Sequence, residues 1–169
     1  MVPVSIEPLS AGHDRSRFFS GSEALDRYFR EQATQDIRRR IATCFVAVSR
    51  SSQDIAGYYT LAATGVALTG LSTDIAKKLP RYPVVPAVLL GRLAIDLRYQ
   101  SQGFGSLLLA DALIRTSKAE FGVFAMVVDA KDEAAQRFYE HHGFTLLQGD
   151  PRRLFLPIYA AGQRLTGGR

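Results

Sequence analysis

The stretch Ala87–Leu113, AVLLGRLAIDLRYQSQGFGSLLLADAL, decides the fold. Its first ten residues, AVLLGRLAID, form a continuous apolar run of strand length, the pattern of a central strand covered on both faces. The run passes into LRYQSQGFGS and from there into the helical LLLADALIRTSKAE (107–120). The order is strand, glycine turn, helix. A turn of this kind presents unpaired backbone N–H groups at the positive end of a helix dipole, where a phosphate or pyrophosphate binds, and glycine lets the ligand approach closely. A tight strand-to-helix turn also needs glycine for its own backbone, so the turn alone admits a phosphate site without requiring one. The third glycine and downstream acid of a dinucleotide fingerprint are missing, as is the G-K-[ST] of a P-loop.

Outward from this unit, FAMVVDA (124–130) reads as a second buried strand and KDEAAQRFYEHHGF (131–144) as a helix closed by Gly143 in the C′ position. RLFLPIY (153–159) offers one more strand before the polar end AGQRLTGGR (161–169). Upstream, SEALDRYFREQATQDIRRR (22–40) places Leu25, Tyr28, Phe29, Ala33 and Ile37 at steps of three and four, an amphipathic helix with Ser22 as N-cap. Arg38, Arg39 and Arg40 fall in its last turn, where cations suit the dipole; capping accounts for one or two of them more easily than for three. TCFVAVS (43–49) and IAGYYTLAATGVAL (55–68), joined by the polar RSSQD, predict a hairpin. A short helix over Thr73–Leu79 runs into KKLPRYPVVP, whose Pro80, Pro83 and Pro86 impose a stiff, extended loop carrying Lys77, Lys78 and Arg81. Strands alternating with helices after a hairpin predict an α/β sandwich around a mixed sheet, with residues 1–169 as one domain.

Composition bounds the function. The 169 residues, 47% hydrophobic and 22% charged, suit one folded globular domain, and no run reaches the roughly 18 to 20 apolar residues of a membrane span. The start, MVPVSIEPLS, carries no secretion signal pattern, and the single Cys44 excludes an internal disulfide framework and a cysteine zinc site, so a cytoplasmic protein is expected. Three histidines without a second cluster argue against a metal site. His141 and His142 read as helix-end cations, and Cys44, inside an apolar strand, as a small buried hydrophobe. The net charge is +5, and 17 of the 21 cations are Arg. Arg offers a planar fork for phosphate oxygens, whereas Lys serves equally well for solubility, so the bias points to a phosphate-bearing partner or else to a basic surface of no consequence.

Gln100-x-x-Gly103-x-Gly105 after the strand Leu93-Ala94-Ile95-Asp96, followed by Asp132-x-x-Ala135-x-x-x-Tyr139-x-x-x-Gly143-Phe144, closely resembles the GCN5-related N-acetyltransferase (GNAT) family. The resemblance implies a GNAT fold, a mixed, mostly antiparallel sheet flanked by helices, with acetyl-CoA as co-substrate and no metal. It places the CoA pyrophosphate on the backbone amides of Gln102, Gly103, Phe104, Gly105 and Ser106 and the pantetheine arm on Leu93 and Ile95, with further cofactor contacts from Ala94, Gln100, Ser101 and Asp132 and with Tyr139 as the acid. Over nearly the whole chain the sequence is similar to the acetyltransferase toxins of bacterial toxin–antitoxin modules. That likeness implies aminoacyl-tRNA as acceptor, inhibition of translation, a ribbon-helix-helix antitoxin whose complex binds operator DNA, and a homodimer. Gln100 stands where many of these toxins have Arg, and Phe19-Ser20-Gly21 where a Cys-Gly is common.

The chemistry stands beside the resemblance. A phenol of pKa near 10 is protonated at pH 7, so Tyr139 can donate a proton to a departing thiolate; its plainer role is a core aromatic of the Phe138-Tyr139 pair. No general base is evident, although a water chain to Glu140 or Asp96 is compatible with the sequence, and a backbone N–H near the end of Leu93–Asp96 is the expected oxyanion donor. A lysine amine near pKa 10.4 needs a base, whereas an α-amine near 7.7 to 8.0 is already partly neutral, which favours an α-amino acceptor. Arg38, Arg39, Arg40, Lys77, Lys78, Arg81 and Arg92 are the candidate tRNA contacts; Arg152 and Arg153 suit antitoxin or CoA phosphate. The alternatives are a GNAT enzyme acting on a protein N-terminus, a lysine or a small-molecule amine, and a non-catalytic module that senses CoA or supports repression.

Overall fold

A computed structural model describes residues 1–161; of the polar end read from the sequence, 162–169 lie outside the described residues. Seven strands form one sheet in the order β1-β2-β3-β4-β5-β7-β6: β1 Val4–Pro8, β2 Thr43–Ser49, β3 Ile55–Ala67, β4 Val84–Ile95, β5 Ala125–Asp129, β6 Thr145–Leu146 and β7 Arg153–Pro157. β1 with β2, β2 with β3, β5 with β7 and β6 with β7 pair antiparallel, and β4 with β5 pairs parallel from Ala87↔Ala125 to Leu90↔Val128. The sheet is mixed and mostly antiparallel, as expected.

The contacts divide the chain into two compact units, one of Met1–Ala62 with Gly91–Ala112 and one of Ala63–Leu90 with the described residues from Leu113 on. The first is built on aromatic rings. Phe29 stacks on Tyr58 at 4.2 Å, and Phe18 meets both edge-on at 4.9 and 5.6 Å, inside a cluster with Val46, Val48, Ile55 and Ala94. The predicted amphipathic helix supplies two of its walls. Tyr28, Phe29 and Ala33 are buried, Leu25 and Ile37 pack against the cluster, and the Ser22 hydroxyl accepts from the Leu25 N–H at the N-cap. The helix is not uniform. α1 Glu23–Arg27 passes through a π-helical turn, Tyr28–Gln32, before α2 Ala33–Arg38. There the Ala33 N–H reaches the Tyr28 carbonyl, which leaves the Phe29 carbonyl for the Arg15 guanidinium at 2.7 Å. The second unit buries Val66, Leu71, Val85, Ala87, Ala125, Val127, Leu147 and Phe155.

The structure corrects the element reading in four places. β1 was not among the elements read from the sequence; it is an edge strand, where Pro3 just before it and Pro8 at its end are tolerated because a proline lacks the N–H of an inner ladder. The extended proline loop ends sooner than expected, because β4 begins at Val84 and includes Pro86, whose fixed φ matches extended backbone and which precedes the first residue paired with β5. The short helix after the hairpin, α3, is only Thr73–Ala76. The two-residue β6 has no sequence pattern of its own and exists through pairing with Phe155 and Leu154.

Gly57 shows how tightly the first unit is closed. A Cβ there would lie 2.8 Å from the Ala94 carbonyl oxygen, 2.8 Å from Ile95 Cδ1 and 2.9 Å from Leu108 Cδ1, so β3 can lie this close to its neighbours only without a side chain. Gly57→Ala is expected to lower unfolding free energy by roughly 1–3 kcal/mol in urea titrations. Gly122→Ala, at a position with nothing within 4 Å, is expected to leave the midpoint unchanged.

Candidate active site

The glycine turn is held by a buried carboxylate. Asp96, 1% exposed at the end of β4, accepts from the Phe19 N–H at 3.1 Å and from the Arg98 N–H and Nε, both at 2.9 Å. Burial alone would raise its pKa, but the Arg98 hydrogen bonds outweigh that and hold it below the usual carboxylate value. The carboxylate caps the 3₁₀ turn Leu97–Tyr99, and Arg98 continues to Asp54 at 3.3 Å. A carboxylate this well satisfied is a poor proton acceptor, which removes Asp96 as a general base. Its own N–H is also taken, by the Ala56 carbonyl at 2.9 Å, so it is no oxyanion donor.

Beyond that turn the chain reverses into α4, Phe104–Ser117, using left-handed backbone at Ser101 (φ 62) and Gly103 (φ 88). The Gly103 carbonyl accepts the first helical bond, from the Leu107 N–H at 3.1 Å, so Gly103 is the N-cap and the N–H groups of Phe104 and Gly105 open the helix with no intrahelical acceptor. Helix therefore begins three residues earlier than LLLADAL suggested. The Phe104 ring is buried edge-on against Tyr99 at 5.9 Å, which leaves only its backbone for a ligand. Gln100 is engaged differently from its neighbours. Its amide donates to the Ser20 carbonyl at 3.0 Å and the Ile95 carbonyl at 2.9 Å, tying β4 and the turn to the Phe19–Gly21 segment. Ala94 is buried in the core, while Leu93 and Ile95 are half-buried on β4 beyond the stretch registered with β5.

In the second unit Tyr139 lies on α5, Glu133–His141, whose N-cap is Asp132; the Asp132 carboxylate accepts from the Ala135 N–H at 2.8 Å. The helix ends in a Schellman motif: the Gly143 N–H reaches the Glu140 carbonyl and the Phe144 N–H the Tyr139 carbonyl, with Gly143 at φ 94. The motif folds Phe144 back onto Tyr139, ring centroids 5.5 Å apart, and Phe138 flanks it at 5.2 Å. The Tyr139 side chain is 7% exposed, and burial pushes its pKa up to about 12. Its hydroxyl has no hydrogen-bond partner among the described residues. Glu140, the other base considered, is exposed and bound to Gln136 at 2.7 Å.

The candidate tRNA cations are set apart from Arg98 and Arg153 by having no carboxylate partner among the described residues, a state that exposed Arg50 shares. Arg38, Arg39, Arg40, Lys77, Lys78 and Arg81 are exposed, and among the described residues none has a carboxylate at ion-pair distance. Arg40 ends its helix in left-handed backbone, φ 58. Arg92, likewise without an ion pair, lies 3.4 Å over the Tyr28 ring, and the Tyr28 hydroxyl donates to Asp36 at 2.8 Å. By contrast Arg153 grips Asp129 at 2.7 and 2.9 Å, and Arg152 donates to the Lys131 carbonyl, so this pair is occupied within the fold. Arg38–Arg40, Arg92 and the glycine turn belong to the first unit; Lys77, Lys78, Arg81, Asp132 and Tyr139 to the second. Cys44 is buried with its pKa pushed up to about 12 by burial. No three of the described His, Cys, Asp and Glu residues are grouped as for a metal, and no described helix is long and apolar enough to cross a membrane.

Residues 40–146 match the family described as an acetyltransferase (GNAT) domain. The chain is 34% identical over 150 residues, 88% of each sequence, to a tRNA-acetylating toxin of Mycobacterium tuberculosis. Among solved structures it is similar to AtaT complexed with acetyl-methionyl-tRNAfMet, with TM-score 0.90 and 31% identity over 96% of this chain and 99% of that one. It is also similar to an AtaT variant bound to acetyl-CoA and to the C-terminus of the antitoxin AtaR, with TM-score 0.81 and 28% identity over 96% and 98% of the two chains.

The Asp96 network predicts a pH dependence. Its folded pKa lies below the unfolded one, so its stabilisation is present above the unfolded value near 3.9 and is lost as the pH falls through the folded value. Asp96→Asn is expected to destabilise by roughly 1.5–3 kcal/mol at pH 7. In thermal melts, the gap to wild type is expected to close as the pH drops below about 4.

Proposed function

The chain belongs to the GNAT acetyltransferase family, and we propose that it transfers an acetyl group from acetyl-CoA to the free α-amino group of aminoacyl-tRNA and thereby stops translation. The observation that carries this reading is the 34% identity to a tRNA-acetylating toxin over 88% of both sequences, which spans the glycine turn, Tyr139 and the unpaired cations together. The fit to the cofactor rests on the turn itself. Left-handed Ser101 and Gly103 bring the chain into α4 so that its first N–H groups stand at one end of the helix, an arrangement suited to a pyrophosphate. The backbones of Gln102, Gly103, Phe104, Gly105 and Ser106 are assigned to that group, and Leu93 and Ile95 to the pantetheine arm. Gln100 is assigned to positioning the turn, Asp132 to positioning α5 through its cap.

Acetyl-CoA supplies a thioester whose carbonyl carbon bonds to the amine nitrogen as the carbon–sulfur bond breaks. Tyr139 supplies the hydrogen bond and then the proton for the departing sulfur, since its hydroxyl is protonated across the working pH range and has no competing acceptor. The amine gives up its proton to water. With Asp96 held low and Glu140 exposed and bound to Gln136, neither of the two carboxylates considered is placed as a base, which suits an acceptor amine that is partly neutral already. Arg38–Arg40, Arg92, Lys77, Lys78 and Arg81 are assigned to the tRNA phosphates. By the same kinship the chain is read as a cytoplasmic toxin, one domain over 1–169 and a homodimer, silenced by a ribbon-helix-helix antitoxin whose complex binds operator DNA.

Tyr139→Phe is expected to lower acetylation of an aminoacylated tRNA pool by roughly 10²–10⁴-fold while acetyl-CoA still binds, and to abolish growth arrest on expression. Equal arrest by the variant would defeat the assignment. With the Tyr139 pKa near 12, the wild-type rate is expected to rise with the acceptor amine, at or below about pH 8, and to show no descending limb before about pH 10. Incorporation of label into protein instead of tRNA would redirect the acceptor to a protein amine.

A further inference from the structure

Of the seven tyrosines, five are buried in the fold or between rings, and Tyr159 stands beside Phe124 at 6.5 Å. Tyr82 is different. It is 65% exposed, and among the described residues its ring and hydroxyl have no partner. Its backbone, however, is fixed. The Tyr82 N–H closes a tight turn on the Pro80 carbonyl at 2.8 Å, Pro83 follows directly, and the Leu68 N–H holds the Pro83 carbonyl at 3.1 Å. Two prolines and two hydrogen bonds thus present an aromatic face to solvent with little backbone freedom left to lose on binding.

The electrostatic setting names the partner. Lys77, Lys78 and Arg81 are exposed and without ion pairs among the described residues, and the sequence contains no Asp or Glu from Lys77 to Ile95. Lys and Arg within five residues of a rigid exposed ring form a combination that suits single-stranded nucleic acid, cations tracking phosphates while a base stacks on the aromatic face. A tRNA offers one unpaired strand at the end that carries its amino acid. Resting on the aminoacyl-tRNA reading above, we infer that Tyr82 is a stacking platform for an unpaired base of the tRNA 3′ end, with Arg81, Lys77 and Lys78 holding the adjoining phosphates. A protein partner or a second copy of the chain would meet the same ring, but three exposed cations without ion pairs in the five residues before it favour a polyanion.

The test measures binding of deacylated total tRNA, intact or enzymatically trimmed of its unpaired 3′ nucleotides, to wild type, Tyr82→Ala, Tyr82→Phe and Arg81→Ala. Tyr82→Ala is expected to weaken binding of intact tRNA by roughly 5- to 150-fold, the equivalent of one stacked base, with Tyr82→Phe near wild type. Trimmed tRNA is expected to bind wild type and Tyr82→Ala alike. The logarithmic salt slope is expected to stay unchanged in Tyr82→Ala and to fall by about 0.7–0.9 in Arg81→Ala. The KM for acetyl-CoA, unchanged in Tyr82→Ala, excludes a general loss of structure. Equal loss on trimmed tRNA, no loss on intact tRNA, or a loss of self-association in place of tRNA binding overturns the inference while leaving the acetyltransferase reading intact. Failure of wild type to bind or acetylate tRNA overturns both.

Discussion

Much of the first unit hangs on one carboxylate. Asp96 is buried where β4 ends, and a charge so placed persists only if every lone pair finds a donor. It finds them in the Phe19 N–H, the Arg98 N–H and the Arg98 guanidinium, and these partners set the local geometry. The Phe19 bond, with Leu97 N–H to Phe19 carbonyl at 2.9 Å, ties the segment before α1 to the end of β4. The Arg98 bonds shape the 3₁₀ turn from which the glycine turn departs, and the Gln100 amide adds bonds to the Ser20 and Ile95 carbonyls. The glycine turn is thereby held by contacts within the fold itself. The same satisfaction that makes Asp96 structural disqualifies it as a base.

Tyr139 is placed by an equally local device. Gly143 in left-handed backbone lets the chain turn back, Phe144 lands on the Tyr139 ring, and the phenol is fixed between Phe138 and Phe144, its hydroxyl without a hydrogen-bond partner among the described residues. The Gly143-Phe144 pair after Tyr139 thus has a mechanical role: it terminates α5 and orients the side chain. Burial raises the phenol pKa, so the group is a reservoir for one proton at any working pH. On the charged surface, arginines divide into those neutralised within the fold, such as Arg98 and Arg153, and those left without carboxylates, and only the latter can neutralise phosphates without first breaking an ion pair.

Much of this was legible in the residues. Periodicity located the amphipathic helix, the hairpin and the strand, turn and helix over Ala87–Leu113, because each follows from local patterning of apolar side chains. Gly103 and Gly143 were legible because only glycine adopts their backbone cheaply. The edge strand β1, the two-residue β6 and the inclusion of Pro86 in β4 were not, since each depends on pairing with residues distant in sequence. The π-helical turn within the first helix was equally hidden; the Phe29 carbonyl it frees is met by Arg15 from fourteen residues away.

By itself the sequence determined the order of elements, the glycine turn, the tyrosine and the excess of arginine, all properties of residue type and short-range spacing. Only the tertiary structure decided the state of those groups. It buried Asp96 among N–H donors and so made it structural, engaged Gln100 with two carbonyls, left Tyr139 without a hydrogen-bond partner among the described residues, and sorted paired arginines from unpaired ones. The physical reason is the same in each case. Whether a polar group is satisfied, shielded or free depends on which distant residues fold against it, and no spacing along the chain records that.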